Sequence, residues 1–184
     1  MNEGADAKVI AATRRWLELA VIGLNLCPFA RAAAERTRYR VSAARSPQAL
    51  QTDLIDELRT LAGAPPAQIE TTLLIHPWAL LDFFAFNDFL AQADEVVEEL
   101  GLTGVVQIAS FHPRYQFAGS GPDDVENCTN RSPFPMLHLL RKASIERALA
   151  AFTDPSSIYQ HNIETMRRFG AASWDDLRRQ FEPD

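Results

Sequence analysis

The sequence predicts an α/β protein, a small three-stranded parallel sheet covered by helices, with further helices at the C-terminal end. Three observations support this. β-rich runs at Tyr39–Ala43, Ile69–Ile75 and Val105–Phe111 alternate with longer stretches of helical period. The second and third runs end alike, in Leu74-Ile75-His76-Pro77 and Ser110-Phe111-His112-Pro113. The chain has 184 residues, 47% hydrophobic and 23% charged, enough to bury a core as one domain over 1–184. An α+β arrangement with an antiparallel pair is the alternative, because three strands make a small sheet.

Taken in order, residues 5–25 carry Val9, Ile10, Trp16, Leu17, Ala20, Val21 and Leu24 at helical spacing, weakened at the end by Gly23 and Asn25. Pro28 suits the first position of a short helix through about Ala34. Tyr39–Ala43 alternates as a half-buried strand does. Ser46-Pro47 reads as a cap followed by the first helical residue, with Leu50, Leu54, Leu58 and Leu61 as the buried stripe. Ile69–Ile75 is nearly continuously apolar at its end, as an interior strand is. Trp78–Leu100 reads as a helix, interrupted near Asn87, with Gly101 as its stop. Val105–Phe111 is the third strand. A stretch without helix or strand period runs from Arg114 to about Ser132. Leu137, Leu140, Ile145 and Leu149 then predict an amphipathic helix over Pro133–Ala151, and two more helices begin at Asp154-Pro155 and at Ser173.

The formal net charge is −6 and the basic pairs Arg14-Arg15, Arg167-Arg168 and Arg178-Arg179 are scattered, each read as a solvated helix face. A field of that sign repels nucleic acid and anionic membrane, so neither is expected as a partner. The first eight residues are polar, and no signal peptide or membrane span is legible after them. The two cysteines, Cys27 and Cys128, have no metal-knuckle or CxxC spacing. A cytoplasmic location with reduced thiols follows as the expectation.

Candidate chemistry gathers at three places. In a parallel sheet His76 and His112 would lie beyond the carboxyl ends of their strands, the edge where open α/β sheets bind ligands. Against this stands the ordinary use of a strand-end imidazole, which is to cap loop carbonyls. Cys27, just before Pro28, would sit at a helix start that favours thiolate, although its neighbours Leu24, Leu26 and Phe29 also suit an inert buried thiol. The long loop carries Arg114, Tyr115, Phe117, Asp123, Asp124, Asn130, Arg131 and Ser132. Aromatics and prolines in it predict that it folds back on the domain. Arg131 beside the next helix would receive a carboxylate or phosphate, or would pair with Asp123 or Asp124 and pin the loop. His138 and Arg141 are expected one turn apart on that helix.

Together Leu26-Cys27-Pro28-Phe29-Ala30, Phe111-His112-Pro113 with Tyr115-Gln116-Phe117, Pro122-Asp123-Asp124, and Thr129-Asn130-Arg131-Ser132-Pro133 before Leu137-His138-Leu139-Leu140-Arg141 resemble the bacterial family catalogued as domain of unknown function 1415. The resemblance spans essentially the whole chain. It implies a single-domain bacterial protein and brings no activity, cofactor or site residue with it.

Three functions fit these residues. The first is an enzyme with a zinc or iron site of His76, His112 and His138, or Cys27, with Asp123 or Asp124 as base or as a partner that orients a ligand. The second is a metal-free enzyme for a small anionic molecule held by Arg114, Tyr115, Asn130, Arg131 and Ser132, with Cys27, His112 or Asp123 supplying thiol or acid–base chemistry. The third is an interaction module presenting Tyr115, Phe117 and Phe134. Oligomeric state is not legible.

Overall fold

The computed structural model describes residues 3–150 and 156–182. The first helix, α1 (Glu3–Trp16), widens into a π-helical turn over Leu17–Ile22, whose i→i+5 bonds include Gly23 N–H to Glu18 O at 3.0 Å. Asn25 follows at φ 54°, a left-handed position that Asn tolerates and that turns the chain back. The short α2 (Ala30–Ala33) and a 3₁₀ turn lead into β1 (Thr37–Val41). Helix α3 (Pro47–Gly63) starts where Ser46-Pro47 places it, with the Ser46 hydroxyl accepting from the Ala49 amide at 3.2 Å.

Strand β2 (Thr71–Ile75) is buried along its whole length. Helix α4 (Phe83–Glu99) is unbroken and starts later than the sequence predicts, because Asp82 caps it through the Ala85 amide at 3.0 Å. Strand β3 (Val106–Phe111) follows, and then the long loop, which contains a 3₁₀ segment over Val125–Asn130.

The helix predicted over Pro133–Ala151 is replaced by a strand and a short helix, β4 (Met136–Arg141) and α5 (Lys142–Leu149). Strand β4 lies in the interior of the sheet and buries residues on both faces, so Met136, Leu137, Leu139 and Leu140 form an almost continuous apolar run. Such a run places leucines three apart and imitates a helical stripe. The chain ends in α6 (Ser156–Phe169) and α7 (Ala171–Arg178), while the predicted start at Asp154-Pro155 lies outside the described residues.

The sheet therefore has four strands in the order β1-β2-β4-β3 and is mixed. Strand β1 runs parallel to β2, while β4 is antiparallel to both its neighbours, β2 and β3. The three strands read from the sequence do point the same way, but β4 is inserted between the second and third. The alternative with antiparallel pairing describes that part of the sheet.

Strand alternation divides the side chains between two layers. Leu74, Leu137, Leu139 and Val106 pack under α3 and α4, around Leu50, Leu54, Phe86 and Phe89. Leu73, Ile75 and Met136 face the other way, toward Trp16, Leu17 and Val21 of the N-terminal helices and Met166 and Trp174 of α6 and α7. Arg141 ends β4 as a bracket. Its Nη2–H groups donate to Leu61 O (2.7 Å) and Ala64 O (2.6 Å) at the end of α3, and its Nε–H donates to Ile69 O (3.2 Å). A cation there also meets the negative end of the helix dipole. No helix among the described residues is long and apolar enough to cross a membrane.

Candidate functional site

The parallel direction of β2 and β3 brings His76 and His112 to the same sheet edge, and both pack against the Phe86 ring with centroids 5.6 and 5.2 Å away. Three of their four ring nitrogens are committed to the backbone. His76 Nδ1–H donates to Ala79 O at 2.9 Å, since a carbonyl can only accept. His112 Nδ1 accepts the Arg114 amide at 3.0 Å, so its Nε2–H donates to Leu80 O at 3.3 Å. Burial lowers both imidazoles to about 4, which keeps them neutral. His76 Nε2 has no partner and is buried.

His138 belongs elsewhere. It lies on β4 rather than on a helix, and its side chain faces the N-terminal helices, across the sheet from Phe86. The three histidines proposed as a metal set are thus split between the two layers. Among the described residues no three His, Cys, Asp or Glu side chains gather as metal ligands would. The donors present do not fit the proposed zinc or iron centre.

What His138 shares its surroundings with is Cys27. Both line an apolar groove of about 220 Å³ bounded by Phe29, Ala109, Ile145 and Ala148. Both also line a small inner cavity of about 30 Å³, beside Thr71 and Phe111. The Thr71 hydroxyl lies 2.6 Å from Leu139 O and 2.7 Å from His138 Nε2. Its single proton must go to the carbonyl, so Nε2–H donates to the hydroxyl and the lone pair is on Nδ1. Among the described residues the ring's one hydrogen bond is this one, at Nε2. His138 keeps some surface open to the groove, yet apolar walls dominate its titration and lower it to about 4.

Cys27 is half-buried and is separated from α2 by Pro28 and Phe29. Burial pushes its thiol upward, against a smaller opposing pull from the Phe29 and Ala30 amides. The helix start does not make it a thiolate at rest. The arrangement is a neutral thiol and a neutral imidazole lining one apolar groove, with a threonine behind the imidazole that sets its tautomer. Thr71 was not visible as a partner in the sequence, because nothing there shows which residue of β2 stands beside β4.

The loop after β3 folds back on the body as its aromatics predict. Tyr115 packs on Phe83 and Phe117, with centroids 5.3 and 5.0 Å away, and Phe134 lies against the core. Arg131 pairs with neither Asp123 nor Asp124. Its Nε–H and one Nη2–H donate to Tyr115 O (3.2 Å) and Pro122 O (2.6 Å). Asn130 Nδ2–H bonds Ser110 O at 3.2 Å and Ser132 Oγ–H bonds Phe134 O at 2.7 Å, so both hold backbone. Buried Asn127 organises the turn through Phe117 N, Ser120 Oγ and Gly121 O. Arg114, Arg131 and Asp123 share one open depression, joined by Arg178, which the sequence suggested only as a solvated helix face. Cys27 and Asp123 line different hollows, so the structure does not assemble them with His112 into one catalytic set.

No curated protein and no solved structure matches the chain. A family model does match over residues 8–176, under the description "Protein of unknown function (DUF1415)". That match covers the groove, the histidine edge and nearly all of the loop's surroundings, and the chain belongs to this family.

Proposed function

We propose that the chain is a cysteine-dependent enzyme of the cytoplasm, acting on the carbonyl group of a small, largely apolar substrate. Cys27 is the nucleophile and His138 the base. The observation that carries this reading is that the two side chains line the same groove and the same inner cavity. A neutral resting pair suits an apolar ligand, because no charge has to be stripped of water when the ligand enters.

In the reaction, Sγ forms a bond to the carbonyl carbon while its proton passes to His138 Nδ1. The carbonyl electron pair moves to its oxygen, then returns as the bond to the leaving group breaks. That group takes the proton back from His138, leaving an acyl-cysteine that water hydrolyses. Thr71 keeps Nε2 protonated throughout, so Nδ1 is the nitrogen that takes up the proton and gives it back. A groove of about 220 Å³ limits the ligand to a short acyl or alkyl body. A reducing compartment keeps the thiol available.

The test is trapping with p-nitrophenyl acetate and butyrate, followed by peptide mass mapping. An acyl adduct on Cys27 is expected, absent in Cys27→Ala and formed about a hundredfold more slowly in His138→Gln. Acylation of Cys27 at an unchanged rate in His138→Gln, or no adduct on Cys27 in the folded wild type, would overturn the reading.

A further inference from the structure

A second hollow of about 420 Å³ opens where the start of α4, the loop after β3 and α7 meet. It lies apart from Cys27 and His138, and nothing in the thiol reading uses it. Its charged lining is Arg114, Arg131 and Arg178, with Asp82 and Asp123 as the only carboxylates among its lining residues.

Arg131 is the fixed element. Its carbonyl accepts Trp16 Nε1–H at 2.8 Å, and its amide donates to Cys128 O at 3.2 Å, so the backbone is held from both sides. The guanidinium is held by carbonyls, with only a long 3.9 Å contact from Nη1 to Cys128 Sγ besides. Carbonyls orient a guanidinium without neutralising it. Three of its five N–H donors are thereby assigned, which leaves two for a ligand. Among the described residues it has no carboxylate within ion-pair distance, whereas Arg178 has Glu182 at 2.8 Å and Asp175 at 3.7 Å. Arg114 reaches Asp82 only at 3.9 Å, and Asp82 is already occupied in capping α4.

The hollow also has an apolar wall. Phe83 and Phe84 line it, and Phe84 is 71% exposed, unusual for so large an apolar side chain. We infer that this hollow binds a small organic anion, its oxyanion group held by Arg131 with Arg114 and Arg178, and its flat apolar body resting on Phe83 and Phe84. A rigid planar fork at the base and two exposed guanidiniums at the rim match a carboxylate or a phosphate ester equally. The chain's net charge of −6 would not gather anions from a distance, so recognition is local and should persist at physiological salt.

Calorimetric titration of the full chain tests this with phenyl phosphate, benzoate, inorganic phosphate and benzyl alcohol, in about 0.15 M salt. Saturable binding is expected for phenyl phosphate or benzoate, and whichever is tighter identifies the oxyanion. Inorganic phosphate should bind at least about tenfold more weakly, and benzyl alcohol should not bind. Arg114→Gln with Arg178→Gln, which leaves the Arg131 hydrogen bonds to the loop intact, should weaken binding about tenfold or more. Arg131→Lys, which keeps the charge and loses the fork, should do the same with the circular dichroism unchanged. Cys27→Ala should bind as the wild type does, so this result stands independently of the thiol reading. No saturable binding by either aromatic anion, or binding undiminished in the Arg114/Arg178 double variant, would overturn the inference.

Discussion

His76 and His112 donate to the carbonyls of consecutive residues, Ala79 and Leu80, at 2.9 and 3.3 Å. Arg114 Nη2–H takes the next carbonyl, Leu81 O, at 2.9 Å. Three side chains thus hold three successive peptide oxygens of the turn between β2 and α4. Leu80 sits in that turn at φ 55°, where a branched L-residue is strained by about 1–2 kcal/mol. The repeated His-Pro strand end is therefore a clamp. It fixes the turn that presents Phe83 and Phe84 to the arginine-lined hollow. Replacing His112 with Ala leaves Leu80 O and the Arg114 amide without their imidazole partner, so a loss of about 1–3 kcal/mol is expected in urea unfolding. Loss below about 0.5 kcal/mol would show that the turn holds itself.

The same clamp makes stability depend on pH. His76 and His112 titrate near 4 in the folded chain against an ordinary 6.5, and His138 shares the direction. Between those values the unfolded chain binds more protons than the folded one, so stability rises with pH. The contribution is complete above about pH 6.5 and is lost progressively as pH falls toward about 4. Urea midpoints at about pH 7 and pH 5 should differ, and His76→Phe should reduce the difference. A midpoint that does not move between those conditions would contradict the assignment of neutral buried imidazoles.

Arg141 offers a test of the fold itself. One guanidinium satisfies Leu61 O, Ala64 O and Ile69 O at the junction of α3 with β2. Arg141→Met keeps the length and the apolar stem but removes every donor. The expected cost is about 2–4 kcal/mol, because three carbonyls lose a charged partner at a helix C-terminus. A thermal midpoint within a degree or two of the wild type would mean that water replaces the guanidinium without loss.

Local chemistry was legible where a residue acts on its near neighbours. Ser46 caps α3, Pro47 opens it, and the Leu50–Leu61 stripe faces the core as its period demands. The two His-Pro ends declared a shared sheet edge, and also offered the plain role of carbonyl capping that they perform. Long-range partnerships were not legible. Strand β4 reads as helix because a strand buried on both faces has no polar alternation to reveal it. That one misreading hid the pairing of His138 with Thr71, 67 positions away. It also hid the position of Arg141 under α3. Arg178 looked like any solvated helix arginine, because nothing in its own neighbourhood of the sequence shows that it lines one hollow with Arg131.

The groove can be tested without altering either Cys27 or His138. Ala148 lines it from α5, and Ala109 does so from β3, opposite Cys27 and Phe29. A bulky ring at position 148 would occupy the space a substrate needs, while the half-exposed site on a short helix gives it room to enter without displacing the core. Ala148→Trp should therefore slow alkylation of Cys27 by iodoacetamide by about tenfold, with the thermal midpoint little changed or slightly raised. Cys128 is buried beneath Arg131 and away from the groove, so its alkylation in the folded protein provides the internal control. If Ala148→Trp leaves the Cys27 rate untouched, the thiol is reached by another route and the groove is not its entrance. If the Cys27 rate falls while Cys128 is unchanged, access to the thiol runs between α5 and the Pro28-Phe29 turn, the entrance that the proposed thiol chemistry requires.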